Sequence, residues 1–347
     1  MRSFSVKPRL LLIELHHLGD AVLSLPFVRG AGSDFEVHVL CRPAARPVYE
    51  LLENPPTIHE WLPPWASETV HSPLQSLFAA RSKGRELRPL AFAATTCAWA
   101  DPRTTLLAEA TASPRRIGFP TNRTNFYAPD SPWRARRLIL GGLLEKFLPR
   151  LTSPLQANPD HPHLQRWNQI ATALGVACDF TLPWIKTLPA PPERERKSKP
   201  LLAIHRHARL PTKQWPLEKW EALLATESIH SRFDIVEIAP TGPVTLSAVE
   251  TPDIPSLAAV LCACDALLCH DSFPAHLAAA LGKPVVSLFG SGEPRWFAPY
   301  NSAHRVVQSR VCPLHPCIDR CGMSSYICLE EITPAQILRQ LELLSFT

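Results

Sequence analysis

The sequence predicts an α/β protein of two domains, each a doubly wound parallel sheet with helices on both faces. Strand-like and helix-like segments alternate along the chain, and the same alternation starts again near residue 200. Parallel sheets covered by helices are the usual outcome of such a pattern. The chain has 347 residues, which is more than one ordinary hydrophobic core holds, so two domains are expected.

The first half contains three apolar runs that predict strands and three segments that predict helices. The strands are expected at 10–15, 35–41 and 89–95. The helices are expected at 19–30, around 45–54 and at 103–111. Each strand is followed by a helix, an order that is typical of parallel strands joined by helical crossovers.

A domain boundary is expected at residues 191–200. The stretch 193–200 reads ERERKSKP and follows LPAPP, so it has the charge and proline content of an exposed linker. The first domain is therefore expected to cover 1–190 and the second 201–347.

The second half repeats the alternation of strands and helices. Its strands are expected at 201–205, 233–239, 265–270 and 284–290. Its helices are expected at 216–230, 254–264, between Pro274 and Gly282, and at 333–344. Proline at the start of the third helix and glycine at its end match the known asymmetry of helix termini.

The bulk composition is that of a globular protein and argues against several functional classes. Hydrophobic residues make up 46% and charged residues 19% of the chain, and the net charge is only +5. This charge is too small for the electrostatic footprint of a nucleic-acid-binding protein. No signal peptide is apparent, and no apolar run approaches the roughly 20 residues of a membrane-spanning helix. A cytoplasmic protein with reduced cysteines is expected.

The stretch HHLGD (16–20) follows the first predicted strand and carries the first candidate site. In open parallel sheets, ligands bind beyond the carboxyl ends of the strands, so His16, His17 and Asp20 are expected at a ligand-binding edge. Asp20 could accept a proton from an attacking hydroxyl. It could equally do no more than complement the dipole of the helix that it starts.

The stretch HARLPTKQWP (207–216) follows the first strand of the second half. Arg209, Thr212 and Lys213 precede a helix there, and cations beside a helix N-terminus make a plausible diphosphate site. An ordinary solvated loop is the alternative.

The stretch CHDSFPAHLAAALGKPVVSLFG (269–290) places Asp271, Ser272 and His276 between a strand and a helix. The simple interpretation is that Asp271 and Ser272 cap the helix and that His276 packs. The functional interpretation is that a strand end, a first helical turn and an acid–hydroxyl pair meet where a nucleotide binds.

These stretches together resemble glycosyltransferase family nine, the heptosyltransferase family of lipopolysaccharide assembly. LHHLGDAVLSLPFVRG resembles its amino-terminal signature, and HDSFPAHLAAALGKPVVSLFGSGEP resembles its carboxy-terminal signature. ARLPTKQWPLEKWEAL and RRIGFP resemble segments that lie between the two. The resemblance implies the GT-B fold, in which two Rossmann-like domains face each other across a cleft, with the acceptor in the first and the donor in the second.

The resemblance also implies roles for individual residues. Asp20 matches the proposed general base. Lys213, with Thr212 beside it, matches a residue that contacts the donor phosphates. Asp271 matches a position that contacts the sugar, and His276 matches one that contacts the phosphates. Such enzymes need no metal for catalysis and invert the anomeric centre by direct attack.

The implied activity is transfer of a heptose or related sugar from a nucleotide diphosphate, with ADP-heptose the first choice. The implied acceptor is the lipopolysaccharide core or another cell-envelope glycolipid or polysaccharide, reached by peripheral contact at the cytoplasmic face of the inner membrane. Two alternatives remain open. The chain could glycosylate a protein or another polysaccharide, or it could be an inactive scaffold, because Phe273 stands where the family commonly has glycine. A further departure is Glu14, which stands where a basic residue is frequent.

A cysteine-rich tail covers residues 312–328. Its four cysteines are Cys312, Cys317, Cys321 and Cys328. Four thiolates in a proline-rich loop could bind a structural zinc or iron ion, with His315 as a substitute ligand. The spacing lacks the standard C-x-x-C pair, so reduced thiols or disulfides are the alternatives.

Overall fold

This computed structural model describes residues 6–67, 71–121, 151–158, 160–185, 188, 199–239, 248–300, 303–318 and 321–345. The chain divides into two compact units, Met1–Phe180 and Thr181–Thr347. The predicted linker at 191–200 lies almost entirely outside the described residues, so its position stays a prediction.

The first unit contains a parallel sheet of six strands in the order β3-β2-β1-β4-β5-β6. The strands are β1 (Arg9–Glu14), β2 (Glu36–Cys41), β3 (Thr57–Glu60), β4 (Ala94–Cys97), β5 (Arg115–Gly118) and β6 (Ser153–Pro154). The helices are α1 (Leu18–Ala31), α2 (Arg46–Glu50), α3 (Pro73–Leu87), α4 (Pro102–Ala110) and α5 (Leu164–Leu174). Strand β1 is central and buried, and it pairs with β2 and β4.

The second unit contains a parallel sheet of six strands in the order β12-β11-β10-β7-β8-β9. The strands are β7 (Leu201–His205), β8 (Asp234–Ala239), β9 (Ala248–Glu250), β10 (Ala266–His270), β11 (Val285–Phe289) and β12 (His304–Gln308). The helices are α6 (Leu217–Leu224), α7 (Glu227–Arg232), α8 (Ile254–Ala263), α9 (Phe273–Ala280), α10 (Pro294–Phe297), α11 (Ile327–Glu330) and α12 (Pro334–Glu342).

The two sheets have the same topology, since each runs 3-2-1-4-5-6 when its strands are numbered within its own unit. This is the Rossmann order, in which the order of successive strands reverses between the first and fourth strands. The reversal lies between β1 and β4 in the first unit and between β7 and β10 in the second. The predicted fold class, α/β with two Rossmann-like doubly wound domains, is confirmed.

Two predicted elements differ from the structure for local reasons. The strand expected at 89–95 begins only at Ala94, because a 3-10 turn ends at Leu90 and Ala91 adopts a left-handed backbone conformation. The helix expected at 216–230 is two helices. Thr226 interrupts it, and its hydroxyl donates to the Leu223 carbonyl at 2.7 Å, competing with the helical hydrogen bonds.

Large aromatic side chains fill the core of the second unit. Trp215 is 3% and Trp220 is 1% exposed, and the two rings meet edge to face. Residues from the carboxy-terminal helices, including Leu329 and Ile337, complete this core. Among the residues described, none of the helices is both long and apolar enough to cross a bilayer.

Candidate active site

The candidate residues of each unit lie at the carboxyl edge of its sheet, beside the point where the strand order reverses. His16, His17 and Asp20 follow β1 in the first unit. Lys213 follows β7 and Asp271 follows β10 in the second. This edge is where ligands bind in open parallel sheets.

Two carboxylates hold the turn that joins β1 to α1. Asp20, the third residue of α1, accepts a hydrogen bond from the His17 backbone N–H through Oδ2 at 3.0 Å. Glu14, the last residue of β1, accepts one from the His16 backbone N–H through Oε1 at 3.0 Å. Neighbouring backbone groups therefore bring two buried carboxylates to the same turn. The dipole-complementing role of Asp20 and a chemical role are compatible with this geometry.

The environment of Asp20 favours its protonated form. Burial and the nearby Glu14 charge raise the pKa of Asp20 from 3.8 to about 7, against the opposing effects of His16, the His17 N–H and Arg42. The residue is only 6% exposed. A carboxyl group with a pKa near neutrality is well suited to act as a general base, because it accepts a proton readily and is still partly ionised at neutral pH.

A stack of three rings lies beside Asp20. The centroid of the His16 ring is 4.6 Å from that of Trp99, and Trp99 is 4.5 Å from His163. His163 Nε2 is 3.9 Å from Asp20 Oδ1, and His16 Nε2 is 3.9 Å from Asp101 Oδ2. Of the two predicted acceptor-side histidines, His16 joins this stack, whereas the His17 side chain is exposed and its backbone N–H makes the contact.

Sequence reasoning missed Trp99, Asp101 and His163. Trp99 and Asp101 follow β4, the neighbour of β1, so a correct end for that strand would have placed them at the same edge. His163 precedes α5, and no signal in the sequence indicates that its ring reaches Asp20.

In the second unit the structure brings Lys213 and Asp271 together. Lys213 ends the 3-10 turn Pro211–Lys213, and its Nζ lies 2.7 Å from Asp271 Oδ2. The Asp271 side chain is almost fully buried, and its backbone N–H donates to the Leu288 carbonyl at 2.9 Å. The ion pair therefore bridges the ends of β7 and β10.

Gly292 is required by this ion pair for steric reasons. A Cβ atom at residue 292 would lie 2.5 Å from Asp271 Oδ2, which is closer than real side chains approach. Glycine at this position therefore leaves room for the carboxylate of Asp271.

His276 lies buried in the first turn of α9 as an uncharged ring. Burial, with a smaller effect of Lys213, lowers the pKa of His276 to about 4. Ser272 precedes α9, but its hydroxyl donates to the His270 carbonyl at 3.2 Å rather than capping the helix. Phe273 is the first residue of α9 and is half-buried. The Ser272 side chain therefore does not cap α9.

Of the two remaining predicted donor residues, Thr212 is buried and Arg209 is exposed. Thr212 is buried next to Lys213, and its carbonyl accepts from the Ser291 N–H at 3.2 Å. Arg209 is exposed and is not drawn into the Lys213–Asp271 pair. The arginine engaged nearby is Arg206, which makes a bidentate contact with Glu237 at 2.7 and 2.9 Å.

The cysteine-rich tail packs against the loop that carries Gly292. His315 Nε2 is 2.9 Å from the Gly292 carbonyl oxygen, and Ile318 exchanges hydrogen bonds with Ser291. All four tail cysteines are free thiols. Burial, with smaller effects of the other three thiols, raises the pKa of Cys317 to about 12. Within the described part of the chain, no three His, Cys, Asp or Glu side chains form a group suited to a metal ion.

The fold is shared with solved glycosyltransferases. E. coli heptosyltransferase WaaC, solved with ADP, superposes with a TM-score of 0.68 at 14% identity, over 96% of this chain and 99% of that one. A family 9 glycosyl transferase from Veillonella parvula has a TM-score of 0.65 at 16% identity, over 97% of each chain. The iron-containing dodecameric glycosyltransferase TibC of enterotoxigenic E. coli has a TM-score of 0.54 at 14% identity, over 97% of this chain and 76% of that one.

At the level of sequence, residues 249–326 match the family model of glycosyltransferase family 9 (heptosyltransferase). This segment includes Asp271, Ser272, His276 and the first three tail cysteines. No curated protein is similar enough in sequence to count as a relative. The predicted resemblance to family nine is confirmed, and so is the predicted enzyme class, a glycosyltransferase.

Proposed function

We propose that the protein is an inverting, metal-independent glycosyltransferase that moves a heptose or related sugar from a nucleotide diphosphate, with ADP-heptose as the first choice. The acceptor is a lipopolysaccharide core or another cell-envelope glycan, reached from the cytoplasm. The observation that carries the proposal is the Lys213–Asp271 pair, 2.7 Å apart, beside the first turn of α9 at a Rossmann switch point.

The donor side of the proposal depends on the chemistry of the second unit. The Lys213 ammonium and the N-terminus of α9 offer positive charge to a diphosphate, and that charge is most valuable when the sugar leaves. His276 supports this role as a neutral hydrogen-bond donor, since the pKa of its ring is lowered to about 4. Its Nδ1 has no hydrogen-bond partner among the described residues. The site supplies a cation and donors, so it needs no metal ion.

The acceptor side of the proposal depends on Asp20. The acceptor hydroxyl attacks the anomeric carbon, the bond from that carbon to the diphosphate breaks, and the nucleotide leaves with the electron pair. Asp20 takes the proton of the hydroxyl. A pKa of about 7 matches this task better than that of an ordinary aspartate.

Thermal stabilisation by nucleotides tests the donor side. ADP should raise the melting temperature more than GDP, UDP or CDP does, because a ligand that binds only the folded state stabilises it by mass action. Lys213→Met should abolish the shift, whereas Lys199→Met, at an exposed lysine of the same unit, should retain it. Equal shifts with all four nucleotides would refute the choice of ADP.

Product formation from ADP-heptose and a lipopolysaccharide-core acceptor tests the acceptor side. Asp20→Asn should abolish turnover and retain the ADP-induced shift, and Asp34→Asn, at an exposed acid after α1, should leave turnover unchanged. Unaltered turnover in Asp20→Asn would refute the assignment of the base. Nucleotide binding without transfer to any glycan would favour the scaffold alternative, and transfer to a protein would favour the second enzymatic one.

A structural metal in the tail stays a prediction from the sequence. TibC is an iron-containing glycosyltransferase, whereas no three His, Cys, Asp or Glu side chains among the described residues of this chain form a group suited to a metal ion. Metal analysis of the purified protein decides between the alternatives. About one zinc or iron ion per chain would support a metal site, and four titratable thiols without metal would support reduced cysteines.

A further inference from the structure

Helix α3 of the first unit packs through one face only. Its buried residues are Ser76, Ala80, Gly84 and Leu87, which lie on one side of the helix. A Cβ atom at Gly84 would lie 2.3 Å from the Leu107 carbonyl oxygen, so this side is pressed closely against α4. The opposite side of α3 is left to solvent.

That opposite side carries large apolar residues in line with arginines. Leu74 is 65% exposed and Phe78 is 72% exposed, and both Arg81 and Arg85 are exposed. The four residues have the spacing i, i+4, i+7 and i+11, which places them on one stripe of an α-helix. We call this stripe the outer face of α3. Leu62, which is 54% exposed, lies in the connection that leads into the helix.

The charge of this segment is strongly positive. Between residues 81 and 88 there are four cations, Arg81, Lys83, Arg85 and Arg88, and one anion, Glu86, so the net charge is 4 − 1 = +3. Lys83 pairs with Glu86 at 2.7 Å. Within the described ranges, none of the three arginines forms an ion pair. Their charge is therefore available to a partner.

The outer face begins at the same edge of the sheet as Asp20. Strand β3 is parallel to β2, and β2 is parallel to β1, so all three strands end at the carboxyl edge of the sheet. Leu62 follows β3, and after the 3-10 turn Pro64–Ala66 the chain enters α3 at Pro73. The apolar end of α3, with Leu74, is therefore the end of the helix that the chain reaches from this edge.

We propose that the outer face of α3 binds the surface of an anionic lipid bilayer. Leu74 and Phe78 enter the boundary between headgroups and acyl chains, and Arg81 and Arg85 contact the acidic headgroups. Exposed apolar residues beside arginines are characteristic of helices that lie in this boundary. The inference rests on the proposed function, in that a membrane-bound acceptor gives such a surface its purpose.

A bilayer fits this face better than a second protein does. Two apolar side chains expose no more than a few hundred Å², whereas a stable protein–protein contact buries about 800 Å² on each partner. The arginines in the same stripe would also repel a second copy of this face. Acidic lipids complement both the charge and the small apolar area.

Vesicle sedimentation tests the proposal on the full chain. The wild type should sediment with vesicles of phosphatidylglycerol and phosphatidylcholine, less so at high salt, and should stay in solution with phosphatidylcholine alone. Arg81→Glu with Arg85→Glu should weaken partitioning at least about tenfold. Leu74→Ser with Phe78→Ser should also weaken it. Arg81→Lys with Arg85→Lys should bind nearly as the wild type does, since the charge is kept.

Leu343→Ser with Arg310→Glu serves as a matched control, because both residues are exposed and lie in the second unit. The proposal is overturned if this control loses as much binding as the α3 variants, or if the wild type binds neutral and anionic vesicles equally. It is also overturned if sedimentation velocity without lipid detects a dimer that Phe78→Ser dissociates. Every variant should keep its ADP-induced thermal shift. If the wild type has none, the proposed function fails while the vesicle result still decides this inference.

Discussion

Replacing Glu14 with glutamine tests how the fold adjusts the candidate base. Glutamine has nearly the same shape and keeps an acceptor oxygen for the His16 N–H, so the turn should be preserved. The change removes one negative charge beside Asp20. Burial, His16, Arg42 and the neighbouring His163 stay as they are. The pKa of Asp20 should therefore fall, because a like charge no longer opposes ionisation.

The size of the effect follows from the titration of a single group. A nearby charge shifts a carboxyl pKa by on the order of one unit. If the pKa of Asp20 falls from about 7 to about 6, its ionised fraction at about pH 6 rises from roughly 9% to roughly 50%. The rate kcat/KM at that pH should rise about fivefold, and the plateau at alkaline pH should stay unchanged.

The assay is the pH dependence of kcat/KM for sugar transfer by the wild type and by Glu14→Gln. Glu53→Gln is the control, because Glu53 is an exposed acid of the same unit. Its acidic limb should coincide with that of the wild type. An unshifted limb in Glu14→Gln, at full alkaline activity, would refute the idea that Glu14 sets the pKa of the base.

Three further predictions concern stability. Asp20 has a raised pKa in the folded state, so its ionisation lowers the stability of the fold as the pH rises from about 4 to about 7. Asp20→Asn should therefore raise the free energy of unfolding at about pH 8 by up to a few kcal/mol. Calorimetric scans should show a higher melting temperature for this variant at about pH 8 and an unchanged one at about pH 4. Lys213→Met leaves the buried Asp271 carboxylate without its cation and should destabilise the fold by up to about 3 kcal/mol in urea unfolding. Gly292→Ala should lower the free energy of unfolding by about 1–3 kcal/mol, because the added methyl group meets Asp271. In a background that already carries Asp271→Ala, the same change should cost less. Simple additivity in this double-mutant cycle would contradict the steric explanation.

The elements that the sequence predicted best are those with strong local signals. The central strands β1, β7 and β10 are continuous apolar runs, and α9 has proline at its start. Gly282, which follows this helix, has φ of +78°, a value that glycine adopts at no steric cost. Local composition determines these features, so one stretch of sequence is enough to predict them.

The features that sequence reasoning missed depend on contacts between distant segments. Strand β3 is short and half-exposed, and α3 has only four buried residues in fifteen, so neither has a strong hydrophobic pattern. The ring stack of His16, Trp99 and His163 joins three segments that lie far apart in sequence. The exposure of Phe78 is likewise invisible in sequence, since a phenylalanine is usually read as a core residue.

The two units share one topology but differ in the charges that lie at the strand-order reversal. At the switch point of the first sheet, burial and the nearby Glu14 charge raise the pKa of Asp20 to about 7, which keeps a proton on that carboxyl up to about neutral pH. At the switch point of the second sheet, the Lys213 ammonium lies 2.7 Å from Asp271 Oδ2, and the first turn of α9 adds its own positive end. A carboxyl group that must take up a proton benefits from negative charge nearby, because that charge raises its pKa. A site that binds a departing diphosphate benefits from positive charge, because that charge stabilises the leaving group. The reversal of strand order provides an edge suited to ligand binding in both sheets, and under the proposed function the few side chains that follow each strand decide which half of the transfer each edge performs.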